Sequence, residues 1–451
     1  MKADLYLRNG TIVTESGTFR GGIAASDGKI SHMVHGDLSI DAEQTIDLAG
    51  KVLLPGIVDA HTHFSEPGRD FEGYRTGSMA AAAGGVTTVF DMPLNDLPPT
   101  TDRATITKKR AMAEGQSIID YAFWGGLIDN NLDKLEELND EGVVAFKAFM
   151  RTVADFPRID DDLMYAGLKK IAAFDNMLGV HAENEFVTSF LRDKLKSEGR
   201  IDRKAWNDSR PPEQEIEAIS RAIFWAKATG ARLYICHISV AAAVDVVKRA
   251  RQEGFRIAGE TCSHYLFFDV EDYVEVGPRL RAAPPIRSAN DVEALWASVL
   301  RGDVDVISSD HSPFPPQRYE LGLNNVWEGG GGVMGLQSML PAVITAGVHQ
   351  RGMPWELVAR LMSSNPARIF GVYPQKGALL PGSDADFTVV DADREWTLSA
   401  DDLFYRHKMS PYVGHKFKGA VTQAVVRGKI VFSDGKITAD PGHGRLIHRK
   451  H

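Results

Sequence analysis

Eight short apolar stretches, separated by helical segments, constrain the fold of this chain more than any other feature of its sequence. Their apolar residues run nearly continuously instead of alternating with polar ones, which is typical of strands buried on both faces of a parallel sheet. Eight such strands with intervening helices predict an α/β fold of the (β/α)8 TIM-barrel type. The predicted strands are Val52–Val58, Gly85–Met92, Ile119–Gly125, Val143–Phe149, Met177–His181, Arg232–His237, Arg256–Thr261 and Val304–Ser309.

A doubly wound open sheet is the alternative fold for the same alternation of strands and helices. Dinucleotide-binding sheets of that type carry a GxGxxG turn after the first strand, and this chain has no such turn there. The glycine run Gly329–Gly332 lies far along the chain and lacks the Lys-Ser/Thr pair of a phosphate-binding loop. The sequence therefore favours the barrel.

Both ends of the chain carry short β patterns, for example Thr11–Val13 near the start and Lys429–Phe432 near the end. Neither end is long enough to bury a good core alone. We therefore expect residues 1–53 and 374–451 to build one β-sandwich lobe together, and residues 54–373 to form a catalytic barrel.

Composition narrows the class of protein. The formal net charge of −9 disfavours nucleic-acid and anionic-membrane partners, because their surfaces attract positive charge. The sequence has no apolar run long enough to span a bilayer, and its first residues have no apolar core of a signal peptide, so we expect no secretory signal. Cys236 and Cys262 are too few for a disulfide framework, and strand alternation places Cys236 on the face opposite His237. We expect a cytoplasmic protein with a small-molecule substrate.

Side chains that commonly bind metals stand at the ends of predicted strands. Each has an ordinary alternative, since a lone histidine can be a hydrogen-bonded structural residue and a strand lysine can pair with a buried carboxylate. The His-x-His spacing is more specific, because a period of two puts both imidazoles on one face of a strand. Strand ends converge at one face of a barrel, so we expect these side chains to meet. They are His61, His63, Lys147, His181, His237 and Asp310.

This set of side chains indicates metal-assisted hydrolysis of an amide. Imidazole and carboxylate suit divalent Zn, Co, Mn, Ni or Fe(II), and two such ions activate a water and polarise a carbonyl. Burial of Lys147 favours its neutral amine, which can add CO2 to form a carbamate that bridges two ions. Asp310 can carry a proton to the leaving nitrogen. The expected ligands are His61, His63 and Asp310 for one ion, His181 and His237 for the other, and Lys147 between them.

These motifs, in this order, resemble the cyclic amidohydrolases. They are HTH at residues 61–63, the lysine of VVAFKAF, VHAEN, ICHIS and SSDHSP, with PGSDADF nearer the C-terminus. The resemblance covers the whole chain. It implies a TIM barrel with two divalent ions, zinc foremost, N6-carboxylysine at position 147, and assembly as a homotetramer.

Two positions distinguish branches of that family. Dihydroorotases carry an arginine that grips a ring carboxylate where this chain has Ser65. Hydantoinases and dihydropyrimidinases carry a tyrosine five residues after the lysine, where this chain has Thr152. Both departures, together with DMPLN and EGGGGVMGLQS, resemble the branch that opens the hydantoin ring of allantoin.

Allantoin is a neutral ureide, so its recognition is expected to depend on hydrogen bonds. The hydroxyl of Ser65 suits such a substrate, and the resemblance adds Asn95 and Ser312 as candidate contacts. Asn95 can instead form a turn and Ser312 can cap a helix. Two other functions stay open, a hydantoinase or dihydropyrimidinase of relaxed specificity and a non-catalytic scaffold. Scaffolds of this family have lost metal ligands that this chain retains.

Overall fold

The computed structural model describes residues 2–153 and 155–450. Its strands form an eight-stranded parallel sheet and a nine-stranded mixed sheet. In chain order the strands are β1 (Ala3–Val13), β2 (Thr18–Ser26), β3 (Lys29–His35), β4 (Ala42–Asp47), β5 (Val52–Pro55), β6 (Ile57–Thr62), β7 (Val86–Asp91), β8 (Asp120–Gly126), β9 (Ala145–Phe149), β10 (Met177–His181), β11 (Arg232–Ile235), β12 (Ile257–Cys262), β13 (Val306–Ser308), β14 (Phe387–Thr397), β15 (Lys416–Val426), β16 (Lys429–Ser433) and β17 (Lys436–Ile437).

The α-helices lie between β6 and β14 in the chain. They are α1 (Tyr74–Ala83), α2 (Arg103–Glu114), α3 (Leu135–Asp140), α4 (Asp161–Ala173), α5 (Glu185–Ser197), α6 (Arg203–Asp208), α7 (Pro212–Thr229), α8 (Ala241–Gln252), α9 (Ser263–Phe267), α10 (Val270–Val276), α11 (Ala289–Leu300), α12 (Pro316–Glu320), α13 (Met339–Val343), α14 (Trp355–Ala359) and α15 (Asn365–Ile369). The side chain of Asp102 caps α2, and Gly230, at φ +68°, ends α7. Within the described ranges, none of the helices has the length and apolar character needed to cross a membrane.

Strands β6 to β13 form the predicted barrel in chain order, with parallel pairing throughout. The two edges of this sheet meet, since His63 N donates to His311 O at 2.9 Å and Ser309 N donates to the Asp59 carboxylate at 3.2 Å. These contacts make the sheet a nearly closed barrel, which confirms the (β/α)8 prediction over an open sheet.

The first predicted barrel strand is divided. Residues 52–55 form β5, which pairs with β1 and β14 in the mixed sheet, and the barrel strand β6 begins only at Ile57. Gly56 lies at the crossing, where its N–H donates to Asp386 O at 2.9 Å. A Cβ atom at Gly56 would lie 2.2 Å from Thr87 Oγ1, so the two sheets approach each other there as only glycine allows.

Aromatic side chains fill the barrel below its active face. The ring of Phe370, which follows α15, lies 5.1 Å from each of the rings of Phe90, Trp124 and Tyr234, measured between centroids. These three residues belong to β7, β8 and β11, and side chains of strands so far apart in the sheet can share one neighbour only inside a barrel. The interior is therefore a packed core, as in other TIM barrels, and not a channel.

Strands from both termini form the mixed sheet, as expected for the lobe. The chain ends outside that sheet, since Tyr121 of β8 exchanges hydrogen bonds of 3.0 and 2.8 Å with Arg445 O and Ile447 N. The exact domain limits, 1–53 plus 374–451 and 54–373, stay a prediction.

A buried lysine joins the lobe to the barrel. Lys376 Nζ contacts Asp384 and Asp386 of the lobe at 2.9 and 2.7 Å and also contacts Asp120 of β8. All four side chains are at most 3% exposed. Arg427 forms a second ion pair with Asp120. Because carboxylates in the interior need positive partners, this cluster ties the two units together.

We expect Lys376→Met to lower the free energy of unfolding by about 3–5 kcal/mol, because it leaves buried carboxylates without their cation. Lys29→Met is the matched control, since Lys29 pairs with the same Asp384 but its side chain is 48% exposed; its loss should cost at most about 1 kcal/mol. Chemical denaturation of both variants measures the difference. Equal losses would contradict the structural role of Lys376.

Candidate active site

Two histidines and one aspartate meet where the edges of the barrel sheet come together. The Nε2 atoms of His61 and His63 each lie 3.2 Å from Asp310 Oδ1. His61 is at the end of β6, His63 follows that strand, and Asp310 follows β13. The three ligand atoms lie within 4.8 Å of one another, a spacing that a single divalent ion can occupy.

A second pair of histidines comes from β10 and from the segment after β11. His181 Nδ1 lies 2.9 Å from His237 Nε2. The ring centroids of His61 and His237 are 5.4 Å apart, so the two groups of ligands adjoin. Four imidazoles predicted from separate strand ends therefore do converge.

Lys147 is fully buried in β9, next to these histidines in the chain order of the barrel. Its Nζ has no hydrogen-bond partner among the described residues and lies 5.1 Å from the centroid of the Phe149 ring. Glycines stand beside Lys147 on both neighbouring strands, Gly126 on β8 and Gly179 on β10. The alternative of a lysine paired with a buried carboxylate has no counterpart in the described structure.

Buried carboxylates hold two of the histidines in one orientation. Glu260 accepts a hydrogen bond from His61 Nδ1 at 2.7 Å, and Glu183 accepts one from His181 Nε2 at 2.8 Å. A ring nitrogen that donates to a carboxylate leaves the opposite nitrogen free to bind a metal. The free nitrogens are His61 Nε2 and His181 Nδ1, the atoms that face the other ligands.

The two supporting glutamates were missed from the sequence. Two signals could have identified them. Glu260 is a charged residue within an apolar strand, as Lys147 is, and Glu183 stands two residues after His181. Glu260 also accepts hydrogen bonds from Tyr234 Oη at 2.8 Å and from the backbone of His237 at 3.0 Å. It therefore connects β6, β11 and β12 beneath the site.

The protonation of His181 and His237 suits metal binding. Burial lowers the pKa of His181 to about 4, in spite of its carboxylate neighbour Glu183. Burial, assisted by the adjacent His181, holds the pKa of His237 well below its ordinary value. Both rings are therefore neutral near pH 7 and keep lone pairs for a cation.

Asp310 carries a charge at the same pH. Burial acts to raise its pKa, but the nearby His61 and the hydrogen bond from His63 hold the pKa well below its ordinary value. For His61, burial acts to lower the pKa, but Glu260 and Asp310 outweigh burial and raise it to about 10. The carboxylates of Glu260 and Asp310 thus surround His61 with negative charge, and the same charges would attract a metal cation bound there.

Four predicted site residues have left-handed backbones. Their φ angles are +61° at Ser65, +68° at Asn95, +41° at His237 and +43° at Asp310. This conformation is costly for residues other than glycine and collects at functional sites, where the surrounding structure maintains it.

Cys236 packs in the core, as expected, but the turn at His237 alters the expected orientation of the two side chains. Strand alternation places the two side chains on opposite faces, but Cys236 packs with Tyr234 inside the barrel and His237 faces the cavity. The Sγ atom of Cys236 lies within 4.8 Å of ligand atoms of His61 and Glu260. Because the backbone turns after β11 ends, the period of two no longer applies.

A cavity of about 260 Å³ opens above the histidines. Asn95 and Ser312 line it, as predicted for substrate contacts, and Ser312 Oγ donates to Asp310 Oδ1 at 3.3 Å. Several other side chains line the cavity without a signal in the sequence; one is the last residue of β9, and the others come from loops and from α6. These are Phe149, Arg151, Trp206, Arg281 and Phe314.

Two specificity positions lie away from the cavity wall. Ser65 is fully buried and its Oγ donates to the backbone oxygen of His63 at 3.3 Å. Thr152 is bound through its backbone N–H and its hydroxyl to Glu185, at 2.9 and 3.0 Å. Neither residue lines the cavity. Ser65 therefore lies behind His63, and its role toward a substrate stays a prediction.

Residues 52–431 match the Amidohydrolase family. The chain is 41% identical to an allantoinase of Escherichia coli O1:K1 / APEC over the full length of both proteins. The chain belongs to the amidohydrolase family. As a member, it is a hydrolase that acts on cyclic amides, in a family that depends on metal ions.

Solved structures similar to this amidohydrolase agree with that assignment. An L-hydantoinase (dihydropyrimidinase) from Arthrobacter aurescens superimposes with a TM-score of 0.97 at 33% identity, covering 99% of this chain and 100% of the other. A dihydropyrimidinase from Brevibacillus agri superimposes with a TM-score of 0.90 at 30% identity, covering 98% of each chain. The barrel and the lobe together therefore follow the hydantoinase fold.

We expect Glu260→Gln to weaken metal binding by about 10–100-fold, because the amide cannot hold His61 as the carboxylate does. Tyr234→Phe is the control, since it removes one donor to Glu260 and keeps the carboxylate; its effect should be much smaller. Metal content after dialysis against graded chelator measures both. Unchanged metal retention in a folded Glu260→Gln variant would contradict the role of Glu260.

Proposed function

We propose that this amidohydrolase opens the hydantoin ring of allantoin by hydrolysing a cyclic amide bond, giving allantoate. The observation that carries the proposal is the convergence of His61, His63, His181, His237 and Asp310 on one cavity, in a chain 41% identical to an allantoinase over its full length. A hydantoinase or dihydropyrimidinase activity is the second candidate, favoured by the solved structures that superimpose on this chain.

The chain offers ligands for two divalent ions, zinc foremost. His61, His63 and Asp310 would hold one ion, and His181 and His237 would hold the other. Lys147 supplies the remaining ligand as N6-carboxylysine, formed when its amine adds CO2. Two features support this assignment: the buried Nζ lacks any partner in the described residues, and the nitrogens of His181 and His237 face each other at 2.9 Å.

When bound, the two ions would lower the pKa of a water and polarise the scissile carbonyl oxygen. Asp310, ionised beside His61 and His63, accepts a proton as water attacks the ring carbonyl carbon. Asp310 then delivers that proton to the ring nitrogen as the C–N bond breaks. The carbonyl carbon becomes a carboxylate and the nitrogen leaves as part of a ureido group. Asp310 is the catalytic residue of this scheme.

Polar groups around the cavity would orient the neutral substrate. Asn95 and Ser312 line the cavity and can hydrogen-bond to carbonyl and N–H groups of a ureide. Ser65 acts less directly, since its small, buried side chain hydrogen-bonds to the backbone of His63. We propose Asn95 and Ser312 as substrate contacts and Ser65 as a residue that shapes the site.

The assembly and location of the enzyme stay predictions. Large aromatic side chains such as Phe186, Phe190 and Phe224 are 60–69% exposed, and contact between copies in the expected homotetramer would cover surfaces of this kind. Both cysteines are unpaired, which agrees with the reducing cytoplasm that their small number favours.

We expect chelation to abolish activity, and divalent metal with bicarbonate to restore it. Lys147→Ala should lose one of the two ions and nearly all turnover, with partial rescue by short carboxylic acids that fill the vacated position. Lys147→Arg, the control that keeps a long cationic side chain, should lose activity equally, because a guanidinium stays protonated and cannot add CO2. Metal analysis and turnover measure the effect. Two bound ions and normal turnover in Lys147→Ala would make the lysine structural.

In a substrate panel we expect kcat/KM for allantoin to exceed that for hydantoin, which lacks the ureido group, by about tenfold or more. Asn95→Gly should reduce this preference, and glycine is chosen because it keeps the positive φ without strain. The Asp310→Asn protein controls for contaminating activity. A preference for hydantoin or dihydrouracil over allantoin would overturn the assignment and leave the amidohydrolase chemistry in place.

A further inference from the structure

Two arginines, Arg210 and Arg281, lie against Trp206 at one side of the cavity, and a third, Arg151, shares the carboxylate of Glu183 with Arg210. We call these three arginines and Trp206 the cationic wall. The guanidinium carbons of Arg210 and Arg281 lie 3.4 and 4.7 Å from the centroid of the Trp206 rings. Arg151, Trp206 and Arg281 line the cavity itself. The indole is fixed by its own hydrogen bond, which Nε1 donates to Ala282 O at 2.8 Å.

Positive charge in the cationic wall exceeds negative charge. Glu183 pairs with Arg151 at 3.1 Å and with Arg210 at 3.6 Å, and it also accepts the hydrogen bond from His181. Arg281 has no carboxylate within 4 Å in the described part of the chain. Burial lowers the pKa of Arg210 to about 9, opposed by Glu183 and assisted by repulsion from Arg151 and Arg281. One carboxylate therefore serves two of the three guanidinium groups, and the third, Arg281, has none in the described part of the chain.

Arg281 is held in place with one donor unused. Its two terminal nitrogens donate to the backbone oxygens of Val326 and Gly329, so its head is fixed against the glycine run. The whole residue is only 7% exposed, and its Nε has no hydrogen-bond partner among the described residues. A Cβ at Gly331 would lie 2.7 Å from that Nε, so the loop packs directly on Arg281 beside the cavity.

We infer that the cationic wall binds an anionic group on the substituent of the substrate ring, so that the enzyme also hydrolyses hydantoins whose C5 side chain ends in a carboxylate. Arg151 and Arg281 are the specificity-determining residues of this subsite. The inference rests on the proposed hydrolysis of hydantoin rings and extends it to a class of substrate. The reaction is the same amide hydrolysis, with the side-chain carboxylate unchanged.

A carboxylate suits this wall better than a neutral group of the same shape. Charge-assisted hydrogen bonds to guanidinium are roughly twice as strong as neutral ones, and a buried excess of positive charge favours an anion. The arginine that family members use for a ring carboxylate is missing at position 65, where Ser65 stands. The structure supplies guanidinium groups from other elements instead, at the end of the cavity formed by Trp206 and the glycine run.

The test compares hydantoin-5-acetate with hydantoin-5-acetamide, which have the same size and differ in charge. For the metal-loaded wild-type enzyme we expect kcat/KM for the acetate to exceed that for the acetamide by about tenfold or more. Arg151→Gln and Arg281→Gln should bring the ratio near one, and Arg281→Lys should retain part of it. Arg301→Gln, an exposed arginine outside the cavity lining, should keep the wild-type ratio.

Both compounds are measured with the same variant, so a general loss of activity lowers both kcat/KM values and leaves their ratio unchanged. A variant that only weakens the metal site or disturbs the glycine loop therefore does not give the expected change in the ratio. A wild-type ratio of one or less, or a ratio unchanged in both Gln variants, would overturn the inference. Hydrolysis of allantoin alongside such a ratio would leave the proposed function standing. If neither allantoin nor either hydantoin-5-acetyl compound is hydrolysed, the proposed function fails. Calorimetry then decides the inference, through the ratio of the affinities for hydantoin-5-acetate and hydantoin-5-acetamide in the wild type and in each variant.

Discussion

The meeting of the first and last barrel strands is the constraint on which the site depends. Parallel pairing aligns the carboxyl ends of all the barrel strands at one face, and the hydrogen bond from His63 N to His311 O brings the two edges together. Asp310 and His63, which are 247 residues apart in sequence, become neighbours only through this closure. A sheet left open would keep the ligands of β6 and β13 at opposite edges.

Burial of charge inside this barrel dictates the residues behind the ligands. Glu260 outweighs the effect of burial on His61 and raises the pKa of that imidazole, and Glu183 holds His181 while it pairs with two arginines. An unpaired ionised group in such a place is costly, so each buried charge calls for a partner from another element. Lys376 and its three carboxylates follow the same rule where the lobe meets the barrel. Arg281 departs from the rule, and that departure marks one end of the cavity as suited to an anion.

Much of the fold and of the candidate site could be predicted from the sequence. Continuous apolar runs identified the barrel strands because a strand buried on both faces needs such residues throughout. Strand-end positions identified the histidines, Lys147 and Asp310, because a barrel aligns those ends. Cys236 packs in the core as expected, but not on the face opposite His237, since a single left-handed residue after β11 cancels the period of two. The division of the first strand at Gly56 depends on contacts with Thr87 and Asp386, which lie far away in the chain.

The sequence by itself determined the class of fold, the family and the candidate metal-binding side chains, because periodicity and short motifs are local properties of a chain. Only the tertiary structure decided which nitrogen of His61 and of His181 faces the other ligands, since that choice depends on Glu260 and Glu183. It also removed Ser65 and Thr152 from the cavity wall and brought Arg151, Trp206 and Arg281 to it. The physical reason is that loops and helix ends lack a repeating geometry, so their side chains find their places only by packing against distant parts of the chain.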